Sequence, residues 1–226
     1  VNETVSVVIA AHNEEPTIGP LVRGILQHTP GLVDVWVVDD GSSDRTSSEA
    51  TAAGAQVLRL FPNRGKGAAL RRGIEQSRGD VLVFLDADGQ DDPAEIPLLM
   101  QALGDEVDLV IGSRFLGHFG PGAITRVNHA GNRFLTGILN VLYDTHVTDT
   151  QAGFKVVRRR AIAGRPLKAS KFDIEVDVLA NVLLGGGRVV EVPVSRAARA
   201  HGRSRLNSVR DGTLILKRIV QVRLGL

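Results

Sequence analysis

Five short apolar runs, Val5–Ala11, Val33–Asp39, Ala55–Leu60, Val81–Asp86 and Val107–Gly112, read as strands rich in β-branched residues. Between them lie Thr17–Gln27, Arg45–Ala53, Gly67–Ser77 and Pro93–Leu103, each with the apolar spacing of a helix. This alternation constrains the chain strongly. It predicts an α/β fold, a mostly parallel sheet with helices on both faces joined by right-handed crossovers. Ligands on such sheets bind outside the carboxyl ends of the strands. The polar clusters fall there: His12-Asn13-Glu14 after the first run, Asp39-Asp40-Gly41 after the second, Asp86-Ala87-Asp88 after the fourth.

The fourth run is the most telling. Val81-Leu-Val-Phe-Leu leads straight into Asp86-Ala-Asp-Gly-Gln-Asp-Asp-Pro93. On extended backbone, residues i, i+2 and i+4 point the same way. Asp86, Asp88 and Gln90 therefore offer two carboxylates and an amide oxygen to one point, a set suited to Mg2+ or Mn2+ shared with substrate phosphates. Taken alone the cluster reads equally well as a polar strand end with turn residues. Asp39 has a turn-forming role and Asp44 or Ser43 a helix N-cap role; Asp40 is placed to accept from the N–H groups of a nucleobase. Asn63-Arg-Gly-Lys-Gly67 opens a helix and puts backbone N–H groups and Lys66 where a phosphate would dock, without the spacing of a P-loop.

The second half is less regular. Ile124–Tyr143 and Phe172–Leu184 read as helices, Ala152–Arg158 as extended, Arg188–Val194 as a strand and Ser208–Val222 as a helix. There is neither a repeat nor a low-complexity linker, so 1–206 reads as one domain, with a nucleotide-binding half (1–115) and an acceptor half (116–206), and 207–226 as an appended amphipathic basic helix. From Arg188 onward nine Lys or Arg residues face two acids, which expects an anionic partner such as phosphate or a membrane surface. An aromatic content of 4% argues against nucleic acid. With no cysteine there is no disulfide framework or thiolate metal site, and no apolar run approaches the roughly 18 residues that cross a bilayer. The expected location is cytoplasmic.

The motifs VSVVIAAHNEE, VVDDGSSDRT, NRGKGAAL, FLDADGQDDP and IGSRF occur in one order. That succession resembles the family 2 glycosyltransferases of the GT-A fold. Together with DTQAGFK at 149–155 and HGRSRL at 201–206, it resembles their polyprenyl-phosphate branch, the dolichyl-phosphate mannose or glucose synthases. The resemblance implies nucleotide contacts from Ala10, His12, Glu14, Asp40, Lys66, Asp86 and Ala87, and a metal and diphosphate site at Asp86, Asp88 and Gln90. It implies that Arg114 and Arg126 approach the phosphates of donor or acceptor, and that Arg203 and Arg205 belong to a loop closing over the diphosphate. With Asp88, these four arginines are the candidate catalytic set. Family members usually carry Pro and Tyr where Ala10 and His12 stand, and Lys where Arg205 stands; Arg keeps the charge and adds a bidentate fork.

The function this implies is inverting, metal-dependent transfer of a hexose from a nucleoside-diphosphate sugar, UDP-glucose or GDP-mannose, to a polyprenyl phosphate. A hydroxyl acceptor of soluble or polysaccharide type, and a non-catalytic nucleotide-sugar-binding module, are the alternatives. A lipid acceptor requires contact with a membrane. In Ser208–Val222, Val209, Leu216, Ile219 and Val220 stand against Arg210, Lys217 and Arg223, a pattern suited to the headgroup plane. Phe134–Tyr143 is apolar enough to guide a lipid tail or to pack internally. His118, His129 and His201 read as loop or helix residues, Asp149 and Gln151 as shaping the site, and Glu175 and Asp177 as structural acids on a buried helix.

Overall fold

The computed structural model describes residues 3–199, 201 and 208–226. Seven strands form one sheet in the order β3-β2-β1-β4-β6-β5-β7. They are β1 (Val5–Ala11), β2 (Leu32–Asp40), β3 (Gln56–Leu60), β4 (Val81–Asp86), β5 (Leu109–Phe119), β6 (Lys155–Arg158) and β7 (Val189–Arg196). All pairings are parallel except those of β6, which is antiparallel to both β4 and β5. The first half of the sheet is thus the α/β unit that the alternation of runs requires.

The sheet is covered on both faces. Along β1, Val5, Val7 and Ile9 enter one core with α1 (Glu15–His28), α2 (Thr46–Ala52) and α4 (Ile96–Ala102), while Val8 enters the other. That second core also takes α3 (Lys66–Gln76), α5 (Arg126–Tyr143), α7 (Ile174–Leu184) and α8 (Ser208–Arg223). This is the period-two alternation of a strand buried on both sides. Helix α3 comes close to the sheet because Gly73 has no side chain; a Cβ there would collide with Val8.

Several boundaries move for identifiable reasons. The segment expected as one helix from Pro93 splits into a 3-10 turn at Pro93–Glu95 and α4. Asp92 accepts from the Ala94 N–H at 2.9 Å, and Pro97, which lacks an N–H, fits only the first turn of a new helix. Strand β5 runs on to Phe119, where Gly117 lies so close to Val194 that a Cβ would meet its backbone. The extended segment from Ala152 is a strand only from Lys155, and the short helix α6 (Arg159–Ala163) was not anticipated.

The C-terminal helix differs most from expectation. Rather than appended, α8 buries Ile215, Ile219 and Val222 against α5 and α7. Arg218 is buried and pairs with Asp177 at 2.8 Å. The inward stripe therefore follows Ile215, Ile219 and Val222, and of the four apolar residues first assigned to the membrane face, Val209 and Val220 are exposed while Ile219 is core.

Candidate active site

A cavity of about 770 Å³ opens at the carboxyl ends of β1, β2 and β4 and is roofed by parts of α5 and α8. Ala10, His12, Glu14, Asp40, Lys66, Asp86, Ala87, Asp88, Gln90 and Arg114 all line it. Arg126 does not: it is exposed at the start of α5, while its neighbours Thr125, Val127 and Asn128 face the cavity. Arg203 and Arg205 lie outside the described residues.

The acids at the tip of β4 are held apart by cations. Lys66 Nζ lies 2.5 Å from Asp86 Oδ1 and 2.6 Å from Glu175 Oε1. Arg199 spans Asp88 Oδ2 at 2.7 Å and Glu14 Oε1 at 3.1 Å. Arg196, the last residue of β7, donates from Nη1 to Asp91 at 2.6 Å. Its Nη2 reaches Asp86 Oδ2 at 3.2 Å, Asp88 Oδ2 at 3.4 Å and Gln90 Oε1 at 3.2 Å. The Gln90 amide is oriented by a reciprocal link to the end of β7, its Nε2 donating to the Ala197 carbonyl at 2.6 Å and the Ala197 N–H to its own backbone carbonyl at 2.9 Å.

These contacts separate the two neighbouring carboxylates electrostatically. Burial opposes ionisation of Asp86, but Lys66 and Arg196 hold its carboxyl far below the usual range. At Asp88, burial and then the charge of Asp86 win over the two arginines and push the pKa up to about 6. Lys66, largely covered, and Arg196, buried, are held firmly cationic by the acids around them.

The fit to a divalent ion is testable on this geometry. Three oxygens, two carboxylate and one amide, converge on a single cationic nitrogen. Among the described residues no three acids or histidines cluster as a metal cage. Two carboxylates plus substrate oxygens are the usual Mg2+ pattern, so the donor set fits.

Other predicted residues have internal partners as well. Asp40 accepts from the Arg64 and Gly65 N–H groups, each at 2.7 Å. The loop's N–H groups are thus engaged by a carboxylate of the protein rather than aimed at open space. Gly65 and Gly67 let that loop lie against the backbone of Ala169 and Ser170. His12 Nδ1 is 2.7 Å from the Asp40 carbonyl, to which Asn63 also donates at 2.8 Å, so His12 and Asn63 together tie β1, β2 and the loop. Asp39 accepts from the Ser42 N–H at 2.7 Å, as a turn former does, and Asp44 from the Thr46 N–H at 3.0 Å. Arg114 grips Asp149 through Nε (2.6 Å) and Nη2 (2.8 Å). Asn132 donates to the same carboxylate at 2.9 Å.

Arg196 and Arg199 enter the sequence reading only as members of the basic C-terminal segment, and Lys155 only as the last residue of DTQAGFK, with no role assigned to any of them. They lie far along the chain from the acids they meet, and only the unbalanced charge of DADGQDD hints that cations must arrive from elsewhere. Lys155 is wholly buried, 2.5 Å from Glu175 Oε2, and burial lowers its pKa against the pull of that acid. Gly153 is a further silent participant: a Cβ there would sit 2.6 Å from Asp86 Oδ1.

With this geometry in hand, the comparisons with known proteins are consistent. Residues 6–164 match the profile of glycosyl transferase family 2. The chain is 32% identical over 211 residues to a dolichol-phosphate mannosyltransferase of Pyrococcus furiosus, covering 89% of this chain and 59% of that protein. It is 33% identical over 217 residues to an undecaprenyl-phosphate mannosyltransferase of Micrococcus luteus, covering 88% of this chain and 86% of that protein. Among solved structures, glucosyl-3-phosphoglycerate synthase of Mycobacterium tuberculosis, in complex with Mn2+, UDP-glucose and phosphoglyceric acid, superposes with a TM-score of 0.78 at 26% identity, covering 100% of this chain and 81% of that one.

Proposed function

The chain is a member of glycosyl transferase family 2, and from that premise we propose that it transfers a hexose from a nucleoside-diphosphate sugar to a polyprenyl phosphate, inverting the anomeric carbon, with Mg2+ or Mn2+ as cofactor. The observation that carries this reading is the convergence of Asp86, Asp88 and Gln90 on one cation-occupied point inside a cavity edged by Lys66, Arg114 and Arg199. The names of the sequence relatives support the acceptor class, and the Mn2+ and UDP-glucose of the solved relative support the donor and metal.

Asp86, Asp88 and Gln90 would hold the divalent ion, which when bound would supply charge neutralisation for a diphosphate leaving group. Lys66 and Arg199 add fixed positive charge beside it, preorganised by Glu175 and Glu14. An acceptor phosphate oxygen attacks the anomeric carbon, and the bond to the diphosphate oxygen breaks with its electron pair. No proton has to be removed, because a phosphate monoester with second pKa of about 6 is already mostly dianionic at neutral pH. Positioning is then the protein's main task, and Arg114, fixed by Asp149, presents a guanidinium to the cavity for it. Arg126, exposed outside the cavity, suits a membrane headgroup better than the reacting phosphate. The enzyme works peripherally at the cytoplasmic face of a membrane.

Transfer of labelled sugar from UDP-glucose or GDP-mannose to undecaprenyl or dolichyl phosphate, with Mn2+, tests the reading. Asp88→Asn is expected to reduce transfer on the order of 100-fold or more; undiminished turnover rejects the assignment. A second reading has one observation in its favour, the fold shared with an enzyme bound to phosphoglyceric acid. Transfer to phosphoglycerate and none to a lipid phosphate would establish it instead.

A further inference from the structure

Arg196 stands where the cofactor would. One nitrogen, Nη2, lies 3.2–3.4 Å from all three of the oxygens that form the cation site. A divalent ion bound there sits about 2.0–2.6 Å from its oxygens, so ion and Nη2 exclude one another. The guanidinium is not an incidental visitor. Arg196 is 7% exposed; its carbonyl accepts from the Gly120 N–H at 2.9 Å; and the next residue is doubly linked to Gln90. Its second nitrogen, Nη1, has a separate acid, Asp91, at 2.6 Å. The side chain is therefore anchored at one nitrogen and poised at the other.

We propose that Arg196 is a tethered cation that keeps the Asp86–Asp88–Gln90 site closed to free metal, and that it yields to metal and nucleotide together, remaining held by Asp91 when displaced. It is a positioning residue that makes the binding of metal and donor interdependent. The reason is the charge balance. Metal arriving alone must displace a cation from two carboxylates and leave it facing a second cation. Metal arriving with a diphosphate brings two negative charges or more, to which the displaced Nη2 can donate. An internal competitor lowers apparent affinity by the fraction of time the site is open.

The proposal rests on the metal reading above, and one set of measurements separates the two. Mn2+ binding is followed by electron paramagnetic resonance, with and without UDP, for the wild type and for Arg196→Gln, Arg196→Met and Asp88→Asn. Removing the competitor is expected to tighten binding of Mn2+ alone by about tenfold or more, and to shrink the further gain that UDP gives. Equal or weaker Mn2+ binding in both Arg196 variants overturns the proposal while leaving the metal site intact. If Mn2+ binds no variant even with UDP, or binds wild type and Asp88→Asn alike, the metal reading fails and the proposal with it. Loss of the arginine takes one cation from Asp86 and Asp88 and removes the ion pair of Asp91, so melting is measured as well. The Arg196 variants are expected to be less stable without metal and to gain more from Mn2+ than the wild type. Variants that saturating Mn2+ does not restore would show a structural cation that metal cannot replace, and overturn the proposal.

Discussion

Glu175 is the acid shared by two ammonium groups, of which Lys66 also has Asp86 as a partner. Its oxygens take Lys66 at 2.6 Å and Lys155 at 2.5 Å, and Lys155 is fully buried. Breaking a buried pair by removing one partner strands the other charge. Glu175→Ala is expected to cost about 3–5 kcal/mol in denaturant unfolding, whereas Glu175→Leu with Lys155→Met should recover most of that loss. Equal losses in the two variants would mean that the pair is not electrostatically tight. Gly153 offers a complementary test, since a Cβ there would overlap the Asp86 carboxylate. Gly153→Ala is expected to fold but to lose on the order of 100-fold in turnover, the scale of a roughly 1 Å misplacement at a reacting centre; circular dichroism beside the transfer assay checks it, and activity within about twofold of wild type sinks it. At this scale the sequence was informative where chemistry is local. The motifs point to Asp86, Asp88, Gln90 and Arg114, but the extended backbone expected to align the first three stops at Asp86; a turn through Gly89, at φ 68°, brings their oxygens together instead. The cations that answer them were illegible, because an arginine closing β7 finds its acids only through the sheet order that places β7 beyond β5.

The contact between α5 and α8 is the element-scale feature that amphipathic patterning placed incorrectly. Tyr143, at the end of α5, donates from its hydroxyl to the Ile219 carbonyl at 2.8 Å, and Arg223 donates to Leu142 at 2.8 Å. Burial pushes the Tyr143 phenol up to about 12. Tyr143 is the sole tyrosine of the chain, so its ionisation is read directly by phenolate absorbance. After a fast pH jump the folded protein should titrate near 12, and a midpoint near 10 would contradict the helix contact. The sign for stability follows: between about 10 and 12 the folded state keeps a proton that the unfolded state has lost, so stability falls as pH rises through that window. Apolar periodicity established that Ser208–Val222 is a helix. It did not decide the partner, because a stripe of Ile215, Ile219 and Val222 reads alike whether it meets lipid or two other helices. Helix α6 was missed because five residues carry too little periodicity to register.

At the scale of the whole molecule, two contacting helices, α5 and α8, leave apolar and basic groups exposed. On α5, Val127, Phe134 and Val141 recur every seven residues and are 67%, 63% and 83% exposed, a stripe along one helix face. On the adjacent α8, Val209 is 80% exposed, Lys217 and Arg223 are also exposed, and Leu224, just past the helix end, is 65% exposed. Among the described residues no helix is long and apolar enough to cross a membrane; under the proposed function, contact with a lipid acceptor falls to a surface of this kind. Because Thr125, Val127 and Asn128 also line the cavity, the stripe begins at the mouth of the candidate active site. Burying Phe134 and Val141 in the acyl boundary contributes about 1.5–3 kcal/mol each, and each nearby base about 1 kcal/mol on an anionic surface. Phe134→Glu with Val141→Glu is therefore expected to weaken binding to phosphatidylglycerol-containing vesicles by about 100-fold or more, while transfer to a short-chain prenyl phosphate in free solution persists. Wild-type binding should weaken as salt rises, because the Debye length shortens from about 10 Å at 0.1 M to about 3 Å at 1 M. Cosedimentation with vesicles reads both effects. If the double variant binds as the wild type does, α5 does not face the bilayer, and the acceptor must enter the cavity from another side.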